Sequence, residues 1–141
     1  MDPAKRYYAY DFWNDTLRGV FSGSDRLEME LRRGEARQIA LREVESHPQV
    51  LSTDRHLMQG YLELSDIRWD AARGELSGIA EMIGGEPMTL TLALNGATGA
   101  QASADTPGTT DIRTTGDGLA RLRLTAPENG PLRWKVSFAA K

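Results

Sequence analysis

Apolar residues recur with period two along much of this chain, the mark of strands with one buried face. Met88, Leu90, Leu92 and Leu94 alternate with Thr89, Thr91 and Ala93, and the Asn95-Gly96 dipeptide that follows is a strong hairpin signal. Trp134, Val136 and Phe138 alternate with Arg133, Lys135 and Ser137, and Leu122 and Leu124 with Arg121 and Arg123. Residues 76–82 form a return strand after the Asp70-Ala71-Ala72-Arg73-Gly74 loop, whose glycine suits a left-handed position. Leu62 and Leu64 share one parity, Ile67 and Trp69 the other, so the switch at Ser65-Asp66 predicts a bulge or turn. Residues 97–118 are small and polar, and predict long loops around one or two weak strands, near residues 101–104 and 112–115.

The N-terminal part is patterned in the same way. The aromatic run Tyr7-Tyr8-Ala9-Tyr10 suits a pleated, half-buried surface, and a strand is expected near residues 7–12, tied into a sheet. Asn14-Asp15 and Ser22-Gly23-Ser24-Asp25 read as turns on either side of Leu17-Arg18-Gly19-Val20-Phe21. Leu27, Met29 and Leu31 alternate with Arg26, Glu28, Glu30 and Arg32, which predicts a third strand; Ile39 and Leu41 predict a fourth. Residues 26–45 are also rich in helix formers. Gly34 and the period-two run before it favour strands. The fold expected is all-β: an antiparallel β-sandwich of Greek-key or immunoglobulin-like kind, with little or no helix. Leu90, Leu92, Trp134 and Val136 are its expected core.

Composition narrows the partners. The 141 residues suit one domain, with a sub-boundary near residues 46–49 as the alternative. The net charge is −3 with both signs interspersed, so no basic stripe invites nucleic acid. No apolar run reaches the length needed to span a bilayer, and Met1-Asp2-Pro3-Ala4-Lys5-Arg6 has no apolar core of a signal peptide. The absence of cysteine excludes disulfides and thiolate metal sites.

Candidate chemistry is sparse. Asp54-Arg55-His56 is the most site-like cluster, and Ser52, Asp54 and His56 share a face if extended. They are too close in sequence to form a catalytic triad, so Asp54 is read as capping a turn and no catalytic residue is assigned. A free-standing enzyme would have to use His56. His47 and His56 match no zinc spacing, and Asp105, Asp111 and Asp117 match no calcium loop, so no metal and no cofactor are expected. Aromatic rings that stack on sugars are the better binding candidates. Trp69, beside its hairpin loop, is the ring expected to be most exposed, with Tyr61 and Tyr8 as further carbohydrate contacts.

One stretch carries a family resemblance. Asp11-Phe12-Trp13, Leu17-Arg18-Gly19-Val20-Phe21, the alternation from Leu27 to Leu31 and the segment from Arg37 to Arg42 resemble, in order and spacing, the entry to the C-terminal β-sandwich of α-galactosidase-like bacterial glycoside hydrolases. The segment from Pro48 to Gly60 looks like a continuation of it. The resemblance implies a non-catalytic accessory domain, the C-terminal part of a larger protein, which packs against and stabilises a (β/α)8 catalytic barrel that this sequence does not contain. It makes that barrel the main partner, through Tyr8, Tyr10 and Trp13, and implies a secreted or periplasmic parent. A carbohydrate-binding module is the alternative.

Overall fold

The computed structural model describes residues 1–56 and 58–139. It is all-β and antiparallel, with eleven strands and no helix among the described residues. The chain divides into two compact units, Met1–Val44 and Glu45–Lys141.

The first unit is a three-stranded sheet, β1 (Arg6–Asp11), β2 (Thr16–Ser22) and β3 (Ile39–Glu43), in the order β2-β1-β3. Tyr8 pairs with Val20 on one side and Arg42 on the other, and Tyr10 with Leu17 and Ala40. The central strand thus has both its edges covered, and Ala9, Tyr10 and Asp11 are fully buried. A buried carboxylate must be partnered. Asp11 accepts the Asn14 side-chain amide at 2.8 Å and the Asn14 backbone N–H at 3.3 Å, and meets the Arg37 guanidinium at 3.4 Å. The turn between β1 and β2 is closed by the Tyr10 hydroxyl, which donates to Asp15 at 2.6 Å, with Asp15 in the left-handed region.

One predicted strand is absent. Residues 27–31 are irregular, neither strand nor helix, and Met29 and Leu31 are exposed. Alternation alone does not make a strand, since its backbone groups need a neighbour. β2 and β3 already take both edges of β1, and no described strand pairs with this segment.

The second unit is the sandwich. One sheet has the order β4 (Gln49–Thr53), β7 (Met88–Ala93), β10 (Leu119–Thr125), β9 (Thr109–Thr114). The other has the order β5 (Leu64–Asp70), β6 (Glu75–Met82), β11 (Gly130–Ser137), β8 (Gln101–Ala104). Inward residues alternate along each central strand: Met88, Leu90 and Leu92 with Ala120, Leu122 and Leu124 from the first sheet, Leu76, Ala80 and Met82 with Leu132, Trp134 and Val136 from the second. The two faces form one apolar cluster. Trp134 pairs across the ladder with Gly78, where a Cβ would lie 2.9 Å from the indole, so the glycine makes room for the ring.

The bulge expected at Ser65-Asp66 is present. The β5–β6 register shifts between Ser65 and Arg68, with Asp66 at a φ of 51°. Leu64 and Trp69 are an odd number of residues apart, and a regular strand would send them to opposite faces. The shift lets both face inward: Leu64 pairs with Ala80, and Trp69 with the buried Leu76.

Candidate functional site

The β5–β6 hairpin, the segment before β4 and the ends of β7 and β11 meet at one end of the sandwich. The hairpin is set by Asp70, whose Oδ1 accepts the N–H groups of Ala72 (2.9 Å) and Arg73 (3.1 Å), and by Gly74 at a φ of 61°. The Phe138 N–H donates to the Gly74 carbonyl at 2.9 Å and ties the end of β11 to this loop. Asn95, from the predicted Asn-Gly turn, is left-handed and donates through Nδ2 to the His47 carbonyl (2.6 Å) and to Gln49 Oε1 (3.2 Å). The Glu45 N–H donates to that same Gln49 oxygen at 2.8 Å. Residues 45–49 are thereby anchored to β7 before β4 begins.

These ties bring three rings together. The His47 imidazole lies flat on the Trp69 indole, with centroids 5.2 Å apart and planes 7° from parallel. Phe138 packs on the indole at 6.0 Å and 51°. Beside the rings is a cleft of about 380 Å³, lined by His47, Trp69, Arg73, Asn95 and Phe138 together with small residues of the loops. Its size falls within the range of small-ligand sites, roughly 300–1,000 Å³, as does its mix of aromatic walls and a few polar groups. Arg73 reaches Asp70 through Nε at 3.7 Å and is largely exposed.

His47 is not placed as a general base. Its Nε2 lies 3.0 Å from Glu45 Oε2 and its Nδ1 2.9 Å from the Pro48 carbonyl. Both partners only accept hydrogen bonds, so both ring nitrogens face acceptor oxygens rather than a hydroxyl that could be activated.

The other residues singled out from sequence lie apart from this cleft or play different parts. Trp69 is only half-buried at the cleft, not the most exposed ring, with His47 stacked on one face and Phe138 packed against it at a tilt. Tyr61 is the more exposed, at 74%, but it precedes β5 while Trp69 is near the strand's far end. The strand from Leu64 to Trp69 alone spans on the order of 15 Å at about 3.3 Å per residue, which sets the two rings apart. Tyr8 belongs to the first unit and is half-buried, and burial pushes its phenol pKa up against a smaller opposing effect of Arg6. Of the three residues expected to pack against a partner domain, Trp13 is 59% exposed with Phe12 edge-on beside it, whereas Tyr10 is buried and does not reach the surface.

His56 is exposed beyond β4, and Asp54 accepts the Thr89 N–H at 2.8 Å, a structural role. Ser52 donates to Gln59 at 3.0 Å rather than to a histidine. Glu63 accepts from the Thr53 hydroxyl and, at 3.0 Å, from the Gly60 N–H, so this buried polar cluster pins the connection between the two sheets. Asp105 and Asp111 meet Arg133 and Arg113, and Asp117 closes a turn. No group of three or more acidic or histidine side chains that could hold a metal occurs among the described residues.

The sequence had pointed to Trp69 but not to its neighbours. Residues 47, 69, 95 and 138 have no spacing pattern in common, and only the sheet topology unites them. No protein-family model, curated protein or solved structure matches the chain.

Proposed function

We propose that the chain is a non-catalytic accessory part of a glycoside hydrolase-like protein, and that its sandwich unit contributes carbohydrate binding through the Trp69 cleft. The cleft carries this reading. An indole carried on β5 is packed against Phe138 just beyond β11, with an unburied guanidinium and an amide on the rim. Ring faces take up the C–H faces of sugars, and forked donors such as Arg73 suit vicinal hydroxyls. The engagement of both His47 nitrogens weighs against acid–base catalysis in the same cleft.

The resemblance of residues 11–42 to the entry of a glycosidase C-terminal sandwich supports the accessory role. Trp13 supports it too, being an exposed aromatic in that motif and suited to packing against a catalytic barrel.

The test is calorimetric titration of the chain with a panel of neutral oligosaccharides, beside Trp69→Ala. Saturable binding that the substitution weakens by about tenfold or more, as expected when a stacking ring is lost, supports the reading. Absence of binding at millimolar sugar, or binding untouched by Trp69→Ala, refutes it.

A further inference from the structure

We infer that His47 is a proton-controlled cover over the Trp69 indole, which closes the cleft's aromatic face when charged and exposes it when neutral. Three observations converge on the ring. Nε2 faces a carboxylate oxygen of Glu45 at 3.0 Å. Nδ1 faces the Pro48 carbonyl at 2.9 Å. The ring plane lies parallel to the indole, 7° off and 5.2 Å away, where a cation is attracted by the π-face.

A neutral imidazole has one N–H. It can donate to the carboxylate or to the carbonyl, but not to both. Whichever nitrogen loses its proton then points a lone pair at an oxygen lone pair, and the attraction of a cation for the indole is lost in the same step. All three contacts that seat the ring are made in full only by an imidazolium. Loss of one proton turns one of them repulsive and weakens another.

The cover matters because of where it sits. Stacking a sugar requires a free ring face; His47 lies flat over one face of Trp69, and Phe138 packs against the ring at a tilt. Phe138 belongs to the apolar cluster and its N–H is bonded to Gly74, so it is held. The His47 backbone is held through its carbonyl by Asn95, but its side chain is 29% exposed and outside the apolar cluster, so its ring is the neighbour able to swing.

The charged groups around the ring do not supply a competing switch. Glu45, on its own segment, is its ion partner. On the hairpin, Asp70 and Arg73 pair with each other at 3.7 Å. The turn bearing Asn95 and the end of β11 at Phe138 bring no charge to the cleft.

Only the affinity arm of the test rests on the carbohydrate reading. The ring–ring nuclear Overhauser effect between His47 and Trp69 is followed from about pH 5 to about pH 8, the span over which imidazole changes charge. It is expected to be strong at the acid end and to fall to background at the alkaline end; an undiminished effect at the alkaline end overturns the cover. In parallel, oligosaccharide affinity is expected to rise about fivefold or more over the same span. The His47→Ala variant is expected to bind at the higher affinity throughout. Equal affinity at both ends in the wild-type chain overturns the gating while leaving the carbohydrate reading intact. Loss of the ring–ring effect with no sugar binding at any pH supports the cover and sinks the carbohydrate reading instead.

Discussion

Single residues show how little room this sandwich leaves for substitution. Gly78 lies directly beneath the Trp134 indole, and an added Cβ would approach Cζ2 to 2.9 Å and Cε2 to 3.1 Å, with Ile67 at 3.4 Å. Trp134 is 2% exposed and hemmed in by the core, so the ring cannot yield cheaply. Gly78→Ala is therefore expected to destabilise the chain by about 1–3 kcal/mol, the usual cost of overpacking. A lowered midpoint in urea with an unchanged slope is the expected result, and an unaltered midpoint would contradict it. The same residues show what a sequence conveys and what it hides. Trp134 was legible as core from its parity with Val136 and Phe138. The need for glycine opposite it was not, because it depends on a cross-strand pairing.

At the scale of elements, hairpins and ladders carry the order. The turn from β9 to β10 is closed by Asp117, which accepts from the Thr115 hydroxyl and, at 3.3 Å, from the Leu119 N–H. The Thr115 hydroxyl above all holds the Asp117 carboxyl below its ordinary value of 3.8; burial opposes it, and the backbone N–H groups and Arg121 add smaller lowering effects. A lowered carboxylate pKa stabilises the folded chain above the ordinary value, and that contribution is lost as pH falls through the lowered one. Thr115→Val should raise the Asp117 midpoint toward 3.8 in an NMR titration of the side-chain carbon. A midpoint identical to that of the parent chain would show that the hydroxyl is not the cause. Strands with a clean period of two were readable in advance, as residues 76–82, 88–94 and 133–138 show, and the parity switch in β5 gave away its bulge. Residues 27–31 misled, because the pattern records which faces are apolar and not whether a partner strand exists. β4 was hidden because its burial is almost continuous rather than alternating.

For the whole molecule, fold class and composition were legible and the site only in part. Trp69 was identifiable as a ring beside a hairpin loop, yet its partners come from three other stretches of sequence that the two sheets bring to one end. Tyr61 and Trp69 do not form a row of rings, so a carbohydrate site on this unit is a cleft rather than a flat platform. The most direct measurement is an amide and side-chain NMR titration of the full chain with the oligosaccharide that binds best, on the alkaline side of the histidine range. The account predicts shifts concentrated on the Trp69 indole N–H, the Gly74 amide and the Asn95 side-chain amide, with Tyr61 and Trp13 unmoved. Shifts centred on Tyr61 or Trp13, or none at millimolar sugar, would contradict it.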